Sequence, residues 1–359
     1  MMPKAVCFRL DAAGFLGYGH LMQSLTLADA FKKEGWTAHF VVKAYEEKVS
    51  ESISSRGHAV YEIPASLEES EDLACFSDYT RKNSCQIAVI DHHDFDSRYT
   101  SSLRHQGVLV VNIDDEGTRE FSCDILVNYN IYADSINYKV EPNTHMLLGP
   151  RYAILRKEFE RDTPDVASDR KRLLVLMGGG YARGEVLKVA NALLLLPETV
   201  LECLKPMLIL GPGYPNPEAV LREFENPFFE WIINPENMWE IMNKSAFAIC
   251  GAGGILYELS RMGVPGITIV LDKNQKHIAN SFENAGITQD LGWYENVTKD
   301  KIIRLVLEWL EKRDHIDKRR NISLKLVDGK GTIRILDAIL TSSIAKKSGN
   351  KLSEDILTE

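Results

Sequence analysis

The residues best suited to chemistry follow short apolar runs and are crowded by glycine. Arg9-Leu10-Asp11-Ala12-Ala13-Gly14-Phe15-Leu16-Gly17-Tyr18-Gly19-His20 leads from a strand-like segment into a helical pattern. Glycines placed after a strand let the backbone turn tightly and approach a ligand closely. His20 falls at or near the start of the helix, where the dipole disfavours imidazolium and favours the neutral ring. That placement suits a general base, and it equally suits a structural turn whose histidine caps its helix. The order Gly14-x-x-Gly17-x-Gly19 is not the dinucleotide-binding G-x-G-x-x-G, and no Walker lysine follows.

Two further glycine turns lie in the second half. Leu173–Met177 is followed by Gly178-Gly179-Gly180-Tyr181, and Ala246–Cys250 by Gly251-Ala252-Gly253-Gly254. Their amides can meet a phosphate, and Gly253 and Gly254 in particular open the helix Ile255–Met262. Glu258, about a turn into that helix, is placed to accept hydrogen bonds from ribose hydroxyls. A lone helical glutamate is otherwise an ordinary solvated residue. The next strand ends in Asp272-Lys273-Asn274-Gln275, and ligands of open α/β sheets bind beyond strand carboxyl ends. Two acidic patches, Asp91-His92-His93-Asp94-Phe95-Asp96 and Asp114-Asp115, invite a metal reading. Neither shows H-E-x-x-H or EF-hand spacing, so no metal and no cofactor is expected.

These turns need elements to carry them. Strand-like runs at Ala5–Leu10, Ala38–Val42, Ala59–Ile63, Ile87–Ile90, Val108–Ile113 and Ile125–Val127 alternate with helical stretches such as the amphipathic His20–Glu34. The pattern restarts at Arg172–Met177 and continues through Met207–Leu210, Phe229–Ile233, Phe247–Cys250 and Gly266–Leu271. Such alternation implies parallel sheets covered on both faces, an α/β architecture with two Rossmann-like domains. The expected boundaries are residues 1–156, a charged linker at 157–171, a second domain at 172–322, a C-terminal helix at 323–345 and a flexible tail at 346–359.

With 359 residues, two domains of ordinary size fit the length. Forty-two Lys and Arg against 51 Asp and Glu leave a formal charge of −9, which argues against non-specific nucleic-acid or anionic-membrane binding. No apolar run approaches the roughly 20 residues of a membrane span. Met1-Met2-Pro3-Lys4 leads straight into a strand-like segment, unlike a signal peptide. The 6 cysteines form no C-x-x-C pair, as expected of reduced thiols in a cytoplasmic protein.

Taken in order, the motifs resemble the PseG/SpsG family, the nucleotide-sugar hydrolases of pseudaminic acid synthesis and their spore-coat polysaccharide relatives, within the GT-B superfamily that includes MurG. The resemblance rests on Arg9–His20, Ser24–Ala28, Val89–His93, Asn112–Asp115, Leu147–Phe159, Leu176–Gly180, Asn237–Met242, Gly251–Glu258, Asn274-Gln275 and Val327–Gly331. It implies two Rossmann-like domains facing a cleft, with the final helix crossing back to the first. It also implies a UDP-sugar held mainly by the second domain and chemistry supplied mainly by the first. His20 matches the catalytic histidine; Glu258 and Asn274, with Gln275 beside them, match nucleotide-sugar-binding residues. Gly17 and Gly19 shape the first loop, Gly179, Gly253 and Gly254 line the diphosphate, and Asp11 faces the sugar. The implied reaction is hydrolysis of a UDP-linked diacetamido-trideoxy sugar. A GT-B glycosyltransferase and a non-catalytic sugar-nucleotide-binding protein are the alternatives, and a Rossmann oxidoreductase fits the glycine spacing poorly. Four departures stand out: Gln23 where the family has arginine, His93 in place of tyrosine, Gly254-Ile255 in place of a hydroxyl-bearing pair, and Gly180 for serine. Residues three apart share a helix face, which would put Gln23 near His20.

Overall fold

The computed structural model describes residues 4–13, 18–161, 170–179, 184–224 and 226–343. The chain divides into two units, Met1–Ile154 together with Lys330–Glu359, and Leu155–Gly329.

The first unit contains β1 (Ala5–Leu10), β2 (Thr37–Lys43), β3 (Ala59–Ile63), β4 (Ile87–Asp91), β5 (Leu109–Ile113), β6 (Glu120–Phe121), β7 (Ile125–Asn128), β8 (Lys139–Val140) and β9 (His145–Leu148). Seven of them form one parallel sheet in the order β3-β2-β1-β4-β5-β7-β9, and β6 pairs separately with β8. β1 and β4 are buried along their whole length, because both faces of a parallel sheet are covered. Side chains alternate between the faces. Val6, Phe8 and Leu10 join one core, where Phe8 stacks on Phe40 at 4.8 Å, while Ala5 and Cys7 join the other. The first core also holds Ile335, Leu336 and Ile339 from the helical residues 331–343, so the chain's final described helix packs into the first unit.

The second unit contains β10 (Arg172–Leu176), β11 (Met207–Leu210), β12 (Glu230–Ile233), β13 (Ser245–Gly251), β14 (Gly266–Val270) and β15 (Thr288–Trp293). They form a parallel sheet in the order β12-β11-β10-β13-β14-β15. Both units are thus doubly wound α/β sheets. In the first the chain reverses its direction of winding between β1 and β4, in the second between β10 and β13. Beyond the carboxyl ends of such strand pairs lie the natural ligand crevices of open sheets.

Several local expectations are corrected. Helix α1 (Gly19–Lys33) is not a one-faced amphipathic helix: Leu21, Gln23, Ser24, Leu25, Thr26, Leu27, Ala28, Ala30 and Phe31 are all buried. Residues 157–159 of the expected linker form a 3-10 turn whose Phe159 is fully buried. A single aromatic anchor outweighs the charged composition around it. Residues 323–326 end a preceding helix, α12 (Arg313–Leu326), and the chain turns through Gly329 at φ 77° before the helix at 331–343 starts. Strands β6, β8, β9 and β15 are not among the expected strands: the first three are only two to four residues long, and TQDLGW of β15, at a sheet edge, carries no apolar run. The expected tail at 346–359 lies outside the described residues.

Candidate active site

Because all strands of the first sheet are parallel, the segments after β1, β4 and β5 emerge on one edge. Asp11 follows β1, Asp91 ends β4 with His92 and His93 beyond it, and Asp114 and Asp115 follow β5. Tyr18 precedes α1, so His20 is the second residue of that helix. Its Nδ1–H donates to Asp91 Oδ1 at 2.8 Å, the only arrangement open to a carboxylate that solely accepts. Asp91 is itself buried, and its Oδ2 accepts from Gln23 Nε2 at 2.7 Å and Ser24 Oγ at 3.1 Å. Tyr129 OH donates to Gln23 Oε1. Gln23 therefore lies against the His20–Asp91 pair.

This pairing reverses one expectation. Burial by itself disfavours imidazolium, but Asp91, by charge and hydrogen bond, and Asp115 by charge, outweigh it and push the His20 pKa up to about 9. A helix terminus contributes roughly 0.3–1 kcal/mol to a nearby charge. A full carboxylate charge in contact contributes several-fold more, so Asp91 outweighs the helix terminus and favours a proton on the ring. On the other side of the ring, Nε2 lies 3.2 Å from His93 Nε2, and the two rings meet edge to face.

Asp11 is committed within the protein. Arg9 Nη1 donates to its Oδ1 at 2.6 Å, His92 Nε2 to its Oδ2 at 3.0 Å, and the Lys43 amide to its Oδ1 at 3.1 Å. Arg9 is fully buried and also grips Asp72, whose Oδ1 accepts from Tyr99 OH at 2.8 Å. Burial would raise the Asp11 pKa, but His92 and Arg9 together hold the carboxyl well below the usual range. This network clamps the end of β1 to the His92 segment. Gly19 begins α1 with open space where a Cβ would stand, and Gly17 lies outside the described residues.

In the second unit, Gly178 and Gly179 follow β10, while Gly251 ends the adjacent strand β13 and Ala252–Gly254 follow it. Both turns sit at the reversal point. Gly178 has φ 99°, a conformation that favours glycine, and a Cβ on Gly211 would meet the backbone carbonyls of Gly178 and Gly179 within 3 Å. The Leu256 and Tyr257 amides donate to the Gly253 and Gly254 carbonyls to open α9 (Ile255–Arg261). Space is open around Gly254 and Gly179, and the first neighbour of a Cβ on Gly253 would be Gln275 Nε2 at 3.8 Å. Gln275 Oε1 accepts from the Leu271 amide at 3.0 Å, while Asn274 is exposed. Gly180 and Tyr181 lie outside the described residues.

Glu258 is not a solvated helix residue. It is buried, and Arg156 donates to both its carboxylate oxygens, at 2.8 Å and 2.6 Å. The sequence reading missed Arg156, and it missed Asp91 as a partner of His20. Asp91 carried a usable signal, since a carboxylate at the end of a wholly apolar strand demands a donor nearby. Arg156 carried none, because its partner is 102 residues away.

No family model matches the chain. The spore coat polysaccharide biosynthesis protein SpsG of Bacillus subtilis is 24% identical over 324 residues, 89% of this chain and 93% of that protein. The UDP-2,4-diacetamido-2,4,6-trideoxy-beta-L-altropyranose hydrolase of Campylobacter jejuni is 24% identical over 289 residues, 78% and 97% of the two chains. Among solved structures, Acinetobacter baumannii MurG superposes with a TM-score of 0.69 at 15% identity, covering 94% of this chain and 100% of its own. The chain has the GT-B fold. A second structural neighbour is S. aureus MnaA, solved with UDP, with a TM-score of 0.60 and 14% identity, covering 94% of this chain and 96% of its own. The sequence resemblance to SpsG and to the hydrolase is thus matched by a structural resemblance to MurG. Among the described residues, no helix of this GT-B chain is long and apolar enough to cross a membrane.

Proposed function

We propose that this chain is a UDP-sugar-processing enzyme. It hydrolyses the anomeric C–O bond of a UDP-linked diacetamido-trideoxy sugar, giving UDP and free sugar, with His20 as general base. The observation that carries the reading is the His20–Asp91 pair at the reversal point of the first sheet. The likeness to the C. jejuni hydrolase supports the substrate class, and the UDP-bound neighbour supports the nucleotide.

In this reading the second unit binds the nucleotide and the first supplies the base. Gly179, Gly253 and Gly254 take the diphosphate, where backbone amides stabilise the charge that grows on the leaving group. Glu258, oriented by Arg156, takes the ribose hydroxyls, with Asn274 and Gln275 beside it. Asp91 fixes the neutral His20 tautomer with its proton on Nδ1, so the base form is the ring that has lost its Nε2 proton, and its raised pKa predicts activity that climbs with pH toward about 9. Nε2 accepts a proton from water as the water oxygen bonds to the anomeric carbon. The bond from that carbon to the β-phosphate oxygen breaks, and UDP departs with the electron pair. Asp11, bound by Arg9 and His92, holds the end of β1 against the His92 segment and is no base itself.

A GT-B glycosyltransferase of the spore-coat type is the second reading, favoured by the SpsG and MurG likenesses. Incubation of the pure protein with a panel of UDP-amino sugars and no acceptor separates the two. UDP and free sugar appearing in equal amounts, and failing to appear with His20→Ala, supports hydrolysis. Release that requires an added sugar acceptor supports transfer, and equal release by His20→Ala refutes His20 as the base.

A further inference from the structure

Three segments of the first unit bring nitrogen and carboxylate donors together on the far side of His20 from Asp91. His20, His93 and Asp115 each offer one donor atom, all mutually within 4.8 Å. The Nε2 atoms of His20 and His93 are 3.2 Å apart. Two ligands at the 2.0–2.1 Å bond length of zinc–imidazole, in tetrahedral array, stand about 3.3 Å apart. The two imidazoles, which share a 3.2 Å N–H···N hydrogen bond here, thus stand at a spacing that a tetrahedral cation can also bridge.

The supporting contacts have the character of a metal site. A ligating histidine commonly donates its other ring N–H to a carboxylate, which fixes the ring and strengthens the donor nitrogen. Asp91 does this for His20. Asp115 Oδ1 accepts from Asn130 Nδ2 at 2.9 Å. The loop carrying His93 is clamped by Arg119, whose guanidinium donates to the backbone carbonyls of His92, His93 and Phe95. Two imidazoles and one carboxylate suit zinc and its neighbours better than magnesium or calcium, which take oxygen ligands. Three protein ligands also leave one coordination position open.

We propose that His20, His93 and Asp115 bind one divalent transition-metal cation of the zinc class, and that the cation occupies the His20 Nε2 lone pair. The binding stands on the donor geometry alone. Its consequence rests on the proposed function: a lone pair bonded to zinc accepts no proton, so occupancy switches hydrolysis off.

The test begins with EDTA-stripped, reduced protein titrated with Zn²⁺ against a chromophoric chelator. Wild type is expected to bind one more equivalent than His93→Tyr, or to bind it at least tenfold more tightly, with Asp115→Asn weakened likewise. Unchanged circular dichroism and melting temperature establish that the variants fold. Identical stoichiometry and affinity in wild type and His93→Tyr overturn the site, and attribute any bound zinc to other groups such as the exposed Cys203. UDP release is then followed with and without Zn²⁺. At least tenfold inhibition of wild type, reversed by EDTA, supports capture of the lone pair. A rise in wild-type turnover with Zn²⁺ overturns it, because the metal would then be supplying the nucleophile. If stripped wild type releases no UDP, the hydrolase reading fails while the titration still decides the site.

Discussion

Replacing Asp91 by Asn tests the orientation of His20 most directly, because it preserves shape while removing charge. Asp91 Oδ2 accepts from the Gln23 amide and the Ser24 hydroxyl, and Oδ1 from His20 Nδ1–H. An asparagine keeps the first two bonds only if its carbonyl oxygen takes the Oδ2 place, which turns its NH₂ group toward Nδ1. Nδ1 must then accept, the ring proton moves to Nε2, and the base presents a hydrogen where it needs a lone pair. The imidazolium formed during catalysis also loses its counter-charge. At about 4 Å and an effective dielectric near 20, that interaction is worth about 4 kcal/mol. Discounted for the partly exposed ring, about 3 kcal/mol corresponds to a fall of roughly 10²-fold in kcat. Steady-state UDP release in EDTA, with UDP-2,4-diacetamido-2,4,6-trideoxy-beta-L-altropyranose as substrate, reads this directly. KM should move by less than about threefold, because the nucleotide contacts are assigned to the second unit. A kcat within about threefold of wild type in a variant that melts normally refutes the dyad.

Glu258→Ala should weaken UDP binding at least tenfold by calorimetry if the carboxylate takes the ribose, and an unchanged affinity would reassign it to structure. Arg156→Met leaves the Glu258 carboxylate buried without its bidentate donor, so unfolding free energy should fall by about 1–3 kcal/mol. Adding Glu258→Leu to that variant should restore part of the loss in urea titrations. Gly331→Ala places a Cβ 2.2 Å from the Ala153 carbonyl oxygen, against backbone that has no side-chain freedom to yield. A loss of about 2 kcal/mol or more in urea unfolding is expected, and a midpoint equal to wild type would show that the returning helix shifts freely. Asp11 has its folded pKa depressed by His92 and Arg9 against the effect of burial. Its contribution is therefore fully present above the unfolded value near 3.9 and lost as pH falls below about 4. Asp11→Asn should be less stable at pH 6 and lose less between pH 5 and 3, and parallel curves for the two proteins would refute this.

Local signals carried much of the fold. Apolar runs such as AVCFRL and SAFAIC announce strands because a parallel sheet buries both faces. The three glycine turns announced where those strands end. Where local composition and tertiary packing disagree, the sequence misleads: Phe159 anchors a stretch that reads as linker, and TQDLGW pairs at a sheet edge although it lacks an apolar run.

By itself the sequence determined the alternation of strand and helix, the two glycine-turn halves and the position of His20 at the start of its helix, since each depends on residues close together in the chain. Only the tertiary structure decided what those residues touch. Asp91, 71 positions from His20, becomes its hydrogen-bond partner because β1 and β4 are neighbours in the sheet though not in the chain. The same adjacency, extended to β5, brings His93 and Asp115 to the other side of the ring. Arg156 reaches Glu258 across 102 positions. A carboxylate hydrogen-bonded to the ring outweighs the helix terminus that dominates when only neighbouring residues are considered, so the proton affinity of His20 is set by the sheet rather than by its own helix.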